Sequence, residues 1–372
     1  MPSDRKVAAR AADRANAILE IDLRAVAANW RRLKREIAPG VRMAAVIKAD
    51  AYGLGAAQIG PVLARAGCGL FFVASLDEGF ALRKVLPKTA IAVLDGVLAG
   101  SEAEFARAKL TPVLNDFGQV QRWGKAHPRR PAILHLDTGM ERLGLSRGEV
   151  DRLTADAGVL SRLDLAAIMS HLACADEPDH PKNPEQLARF RAALARLPKA
   201  PASLASSSAI FLGPPYHFQI VRPGAALFGI NPLPGKPNPM RATVTLRAKI
   251  LQVRDVDAGE TVGYGATHRM ERPSRVATIA VGYADGWLRS ASDRGSAAIA
   301  GRRVPVVGRI SMDLVTLDVT GIDADRARPG AYVDLLDDRY GVDDAAAAAG
   351  TIGYEMLTLL GRRYARIYRG AR

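Results

Sequence analysis

Between residue 23 and about residue 230, short apolar runs alternate with longer stretches whose apolar positions recur at helical spacing, the rhythm of repeated strand–helix units. Eight runs can be counted: Met43–Ala49, Leu70–Ser75, Ala90–Gly96, Thr111–Asn115, Ala132–Thr138, Leu165–His171, Pro201–Ser207 and His217–Gly224. Between them the pattern predicts helices over Leu76–Val85, Asp116–Ala126 and Pro184–Leu197, the last with Asn183 as its cap and Pro184 at the first helical position. Eight strands and their helices in roughly 210 residues have the size of a (β/α)8 TIM-type barrel, an α/β fold. An open doubly wound sheet competes with it, but KADAYGLG after the first strand lacks the glycine spacing of a dinucleotide loop.

After the Pro/Gly-rich connector Asn231–Pro239 the pattern changes. β-Branched runs such as TVTLRAKILQVRDV, RVATIAVGYADG, RRVPVVGRISMDLVTLDV and RYARIYR, broken by turn residues, predict a C-terminal mainly-β domain with one helix over Thr351–Leu360. The early run Ile18–Asp22 has no place in the barrel and is expected to pair with that second sheet. The expected division is residues 1–22 as an N-terminal tail and strand, 23–240 as the barrel and 241–372 as the β domain.

Composition narrows the function classes. At 48% hydrophobic and 24% charged, the 372 residues are those of a folded domain pair rather than a disordered or collagen-like chain. Two cysteines, Cys68 and Cys174, supply neither a disulfide framework nor a thiolate metal cluster, which fits a cytoplasmic setting. No secretory signal and no run of 18 apolar residues is found, so neither export nor a membrane span is expected. The net charge of +14 hints at an anionic partner, but the cations are scattered, and their densest cluster, Arg31-Arg32 with Lys34-Arg35, reads as a solvated helix face. No aromatic-interleaved basic stripe points to nucleic acid, and Asp176–His180 reads as a loop rather than a metal site.

The polar residues that interrupt the apolar runs lie mostly at their C-terminal ends, which in a barrel converge on one mouth. These are Lys48, Asp137 with Arg142, His171, Ser206–Ser208 and Arg222. Lys48, one of few lysines, follows a β-branched strand where desolvation lowers an amine's pKa, and a neutral amine can form a Schiff base. Ser207 and the Gly224-Ala225 backbone belong to the loops after strands 7 and 8, a common phosphate site in barrels. A Schiff-base lysine opposite a phosphate site points to pyridoxal phosphate or to a class I aldolase, and the β domain favours the former.

Nine motifs carry a family resemblance: KADAYGLGA (from Lys48), HLDTGMERLGL (from His135), SHLACADEP (from Ser170), SSSAIFL, VRPGAALFG (from Val221), GYGATH (from Gly263), VGYADG, GRISMD (from Gly308) and TIGYE (from Thr351). In this order and in both predicted domains the chain resembles alanine racemase. The resemblance implies a homodimeric isomerase with pyridoxal 5'-phosphate bound as a Schiff base to Lys48. It implies phosphate contacts from Tyr52, Ser207, Gly224, Ala225 and Tyr354, Arg222 facing the ring nitrogen with His171 behind it, and Arg142 on the phenolic oxygen. Tyr264 and the Met312 backbone would enter from the partner subunit, the latter receiving the substrate carboxylate along with Arg142. Racemisation needs one base on each face of the α-carbon; Lys48 would act on the D-enantiomer and Tyr264 on the L-enantiomer. Phenols ionise near pH 10, so such a base needs its anion stabilised, which a link from Tyr264 through His171 to Arg222 would supply. His135 stands where many relatives have a lysine, often carbamylated, to steady the arginine, and Ser206, Asp50 and Pro223 are smaller departures. The expected roles are D-alanine supply for cell-wall biosynthesis or alanine catabolism. The alternatives are a racemase of another small amino acid such as serine, a basic amino-acid decarboxylase of the same plan, and a non-catalytic pyridoxal phosphate carrier.

Overall fold

A computed structural model of the chain describes residues 14–370, so most of the expected N-terminal tail, residues 1–13, lies outside the described residues. The chain divides into two compact units: Val26–Leu227 with Asn231–Arg241, and the chain up to Ala25 with Phe228–Ile230 and everything from Ala242 onward.

The first strand, β1 (Ala17–Asp22), belongs to the second of these units. In the barrel unit, β2 (Arg42–Met43) and β3 (Ala45–Val46) are two halves of one strand. They are followed by β4 (Leu70–Val73), β5 (Ala90–Val93), β6 (Thr111–Leu114), β7 (Pro131–His135), β8 (Asp164–Met169), β9 (Ala202–Ser203) and β10 (Ile220–Val221). β3 to β9 form one parallel ladder, and β10 pairs with β2. Backbone bonds close the ring: Gln219 N–H to Ala202 O (3.1 Å) and Arg222 N–H to Ala205 O (2.8 Å) join the last two strands. Ala44 N–H to Val221 O and Val46 N–H to Pro223 O, both 2.9 Å, join the last to the first. Every one of the eight apolar runs supplies a strand, and closure leaves no edge to pair with another chain. Ala44, Phe72, Ala92, Val113, Ile133, Ala167, Met169 and Ile220 fill the interior as an alternation of small and large side chains.

Caps set the helix starts where the sequence has them. Ser75 opens the helix Leu76–Val85 and Asp116 the helix Phe117–Ala126, each side chain accepting the N–H three residues on. Asn183 does not act as a cap. The helix runs Lys182–Leu194, starting two residues and ending three residues earlier than expected. Asn183 lies fully buried within its first turn and turns its amide to the Cys174 and Glu177 carbonyls at 3.0 and 2.9 Å. Pro184 is tolerated there because first-turn N–H groups have no intrahelical partner to lose.

In the β unit the thirteen-residue β11 (Val244–Val256) is the spine. Its first half pairs antiparallel with β1 and its second half with a strand over Ser274–Ile279, the register shifting at Ile250/Gln252. β1 also pairs in parallel with the last strand, Ala365–Arg369, from Ile18↔Ala365 to Asp22↔Arg369. Glu20, nearly buried on β1, accepts Arg369 at 2.7 Å and Arg247 at 3.3 Å. Two helices lie here, Val342–Ala348 and Gly353–Leu359, where the pattern predicted one over Thr351–Leu360; the alanines from Ala345 to Ala348 make up the last four residues of the first. Among the described residues no helix is long and apolar enough to cross a membrane.

Candidate active site

The barrel unit gathers the predicted polar residues at the C-terminal ends of its strands. Lys48 follows β3 and is half-buried; its amine is pulled below the usual lysine range by burial and by the Arg142 charge, against an opposing pull from Asp95 and Glu78. The next four residues, Ala49, Asp50, Ala51 and Tyr52, have φ between +52° and +57° and wind a turn of left-handed helix. Ala51 N–H bonds Ile47 O (2.9 Å) and Gly53 N–H bonds Ala49 O (2.7 Å). Each such residue costs about 1–2 kcal/mol against right-handed winding, so tertiary contacts hold this turn.

Arg222, after β10, is 3% exposed. Its guanidinium donates to Ser203 Oγ and, at 2.7 Å, to Ser170 O, and it lies 6.0 Å from the centroid of the Phe72 ring. Among the described residues no carboxylate pairs with it, and burial alone lowers it to about 10. Two imidazoles stand in its field. Burial, then Arg222, Arg142, His135 and Lys48, push His171 down to about 3; burial and Arg222 push His135 down to about 4. Both are therefore neutral at neutral pH. His135 Nδ1 meets Asn115 Oδ1 at 2.7 Å, and Asn115 Nδ2 donates to Leu94 O at 2.8 Å. The amide orientation makes Nδ1 the protonated nitrogen and leaves the Nε2 lone pair free to accept.

Asp137 is used locally: its Oδ1 accepts the N–H groups of Gly139 (2.7 Å) and Met140 (2.9 Å), shaping the loop that carries the exposed Arg142. Gln186, fully buried on the helix Lys182–Leu194, ties this loop to the next by donating to Thr138 Oγ1 (3.3 Å) and His171 O (3.0 Å) and accepting Ala173 N–H (2.8 Å). Asn115, Ser203 and Gln186 escape sequence reasoning. Only Asn115 left a signal there, as the polar end of the fourth run.

Ser207 Oγ sits where the N–H groups of Gly224 (3.0 Å) and Ala226 (3.2 Å) converge, and Ala225 opens the short 3₁₀ turn Ala225–Phe228. Gly224 is needed for close approach: a Cβ there would collide with the Tyr52 hydroxyl. Hydroxyls and backbone N–H groups at one loop are the donor set a phosphate requires, and Lys48 is an amine tuned toward neutrality, so the residues present fit pyridoxal phosphate.

Tyr264, Met312 and Tyr354 lie in the β unit, exposed by 70%, 53% and 40%. The loop carrying Met312 is clamped: Arg363 donates to both oxygens of the buried Asp285 (2.6 and 2.7 Å) and to Asp313 (2.6 Å), while Ala284 N–H holds Met312 O at 3.0 Å. The Cys68 thiol is pushed up to about 12 by burial and is no nucleophile. Among the described residues no three His, Cys, Asp or Glu side chains are placed to hold a metal ion.

Comparison with known proteins agrees with this chemistry. The alanine racemase N-terminal domain model matches residues 21–232 and the C-terminal domain model residues 243–368. The alanine racemase of Rhodospirillum rubrum is 52% identical over 365 residues, 97% of this chain and 98% of its own length. A catabolic alanine racemase of Mesorhizobium japonicum is 49% identical over 361 residues, 96% and 94% of the two chains. The crystal structure of alanine racemase from Bartonella henselae with covalently bound pyridoxal phosphate matches with a TM-score of 0.91 at 41% identity, over 95% of this chain and 99% of that one. Neither a decarboxylase of the same plan nor a cofactor carrier is favoured by these relatives. Two domain models matched in order, on a fold shared almost end to end, leave one conclusion: the chain belongs to the alanine racemase family.

Proposed function

We propose that this chain interconverts L- and D-alanine with two bases, Lys48 on one face of the α-carbon and Tyr264 of the partner subunit on the other. The enzyme is a pyridoxal-phosphate-dependent racemase. Bound pyridoxal phosphate supplies an electron sink that acidifies the bond to the α-hydrogen. Lys48, Tyr52, Ser207, Gly224, Ala225 and Tyr354 would hold it by its reactive carbon and its phosphate, Arg222 by the ring nitrogen with His171 behind, and Arg142 by the phenolic oxygen.

The observation that carries the reading is Lys48 itself: it stands at the mouth end of the first barrel strand, and burial and Arg142 pull its amine below the usual lysine range, toward the neutral form that can take up the α-proton at Nζ. Arg222 is a cation without a carboxylate partner among the described residues, so it donates to a ring nitrogen without protonating it, which favours return of the proton to the α-carbon over loss to side reactions. The neutral His171 adds no charge behind that contact. Arg142 and the Met312 N–H would share the substrate carboxylate.

A homodimer is supported by the exposure of Tyr264 and Met312, since a base and an anion receptor left in water have little use there. Cytoplasmic placement is supported by two unpaired thiols. In that compartment the product serves cell-wall supply or the reaction serves alanine breakdown. The test is direct: purified protein with pyridoxal phosphate is given L-alanine or D-alanine and the enantiomer ratio is followed. Both reactions should converge on an equal mixture, and a serine arm reports side-chain selectivity. Absence of interconversion from either side refutes the reading, and a monomer at equilibrium in sedimentation refutes the shared site.

A further inference from the structure

Three helices of the barrel unit, Leu76–Val85, Glu102–Ala108 and Arg147–Ala155, open with an S-x-x-E pattern, in which the glutamate is expected to reach back to the N–H of the capping serine; Ser101 makes no side-chain cap bond, which leaves the other two to compare. Before the helix Arg147–Ala155 it does so: Glu149 Oε2 accepts from Ser146 N–H at 2.9 Å. Before the helix Leu76–Val85 it does not. Ser75 Oγ accepts from Glu78 N–H at 3.3 Å as a cap should. The Glu78 carboxylate, however, is spent elsewhere. Oε2 accepts Ala74 N–H at 2.8 Å, just past the end of β4, and Oε1 accepts Asp50 N–H at 3.2 Å, inside the left-handed turn that follows Lys48. The Asp50 carboxylate in turn accepts Ala56 N–H at 2.7 Å, fastening the far end of that turn.

We propose that Glu78 is a positioning residue for Lys48 and Tyr52: by anchoring Asp50 N–H to the end of β4 it keeps the left-handed turn wound, and so holds both ends of the cofactor site in register. Ala49, Ala51 and Tyr52 have no conformational preference for positive φ, so the winding has to be imposed from outside. Lys48 precedes the turn and Tyr52 ends it, with the tyrosine hydroxyl packed against Gly224 beside Ser207. Rewinding Asp50 to the right-handed form displaces one relative to the other. The same carboxylate also acts on the amine through space. Lys48 is faced by Arg142, which favours the neutral form, and by Asp95 and Glu78, which favour the charged one. The inference rests on the reading of Lys48 as the cofactor-bearing lysine.

The test compares full-length wild type, Glu78→Gln and, as the control for a lost cap contact, Glu149→Gln. Two quantities are measured on cofactor-free protein: the dissociation constant for pyridoxal phosphate by absorbance titration, and the pH midpoint of Lys48 acetylation by mass spectrometry. Glu78→Gln should weaken cofactor binding about tenfold or more and move the Lys48 midpoint down, while Glu149→Gln moves neither. Adding Ala49→Gly, an exposed site at φ 52° where glycine carries no penalty, should restore cofactor binding to Glu78→Gln by stabilising the turn without the anchor. A folded Glu78→Gln with wild-type dissociation constant and midpoint overturns the inference, as does equal weakening in Glu149→Gln or no rescue by Ala49→Gly. A wild type that neither binds pyridoxal phosphate nor labels at Lys48 overturns the active-site reading instead.

Discussion

Replacing Arg222 with methionine separates what the guanidinium does for folding from what it does for the reaction. Burial holds this group at about 10, against about 12.5 for an arginine in water, which is a cost to the charged form of about 3 kcal/mol. Methionine removes that cost and fills most of the volume. On the other side, Ser170 O loses the 2.7 Å donor it has in Arg222, and an unpaired buried carbonyl costs about 1–3 kcal/mol. Ser203 Oγ stays satisfied because it also donates to Ile220 O at 2.6 Å. The two sides nearly cancel, leaving a net change within about 2 kcal/mol, and for a chain of this length that is a Tm shift within about 3 °C. The reaction has no such compensation. A lost charged hydrogen bond to the cofactor is worth about 1.5–3 kcal/mol, or roughly 10- to 150-fold in kcat/KM. Thermal unfolding by circular dichroism and chiral analysis of alanine turnover measure the two sides on one sample. A variant that melts with the wild type and keeps its full kcat/KM refutes the role of Arg222, and one that does not fold refutes the cancellation.

Lys48→Ala should abolish the visible absorbance of lysine-linked cofactor and lower racemisation by about 10²–10⁴-fold; persistence of the absorbance assigns the linkage to another amine. Tyr264→Phe should still exchange the α-hydrogen of D-alanine for solvent deuterium while exchange from L-alanine is lost, and equal loss from both enantiomers counts against a one-face role. His135 and His171 make the fold acid-labile. Their folded pKa values, about 4 and about 3, lie below the ordinary histidine value of about 6.5, so the unfolded chain binds more protons below pH 6.5 and stability falls as pH drops. Between about pH 6.5 and 4 the pair should cost about 2.7 kcal/mol per pH unit, and a histidine-to-glutamine double variant that unfolds in acid as steeply as the wild type refutes this.

The barrel was readable because each of its strands is a closed-off apolar run and because the residues that break the runs fall at one end. Lys48, His171 and Arg222 were visible for the same reason: charge or imidazole has no business in an apolar strand unless the strand ends there. What the sequence concealed is set by tertiary contact. Ala49 and Ala51 are good formers of right-handed helix, yet they wind left-handed because Ile47 O, Ala49 O and the Glu78 carboxylate fix their neighbours. Asn183 has the chemistry of a cap, but the helix starts one residue before it, and inside the first turn its Nδ2 donates to two loop carbonyls instead. Gln186 looks like any polar helix residue until the loops at Thr138 and His171 are brought to it. Glu78 carries an ordinary capping pattern whose second half is diverted.

The placement of β1 bears on how the protein is made. Its partner Ala365–Arg369 is the last strand of the chain, about 340 residues downstream, so on the ribosome β1 emerges roughly 17–70 s before that neighbour exists. The barrel unit is contiguous enough to close during that wait, whereas the β unit is assembled from segments on either side of the barrel and cannot complete until residues 365–369 have been made. Until then β1, even once β11 has paired with one side, is an apolar strand with an open edge, the segment a chaperone or a second nascent chain meets first. Overexpression at high ribosome loading should therefore yield aggregates seeded through the β unit, and slowing synthesis lengthens rather than shortens the exposure.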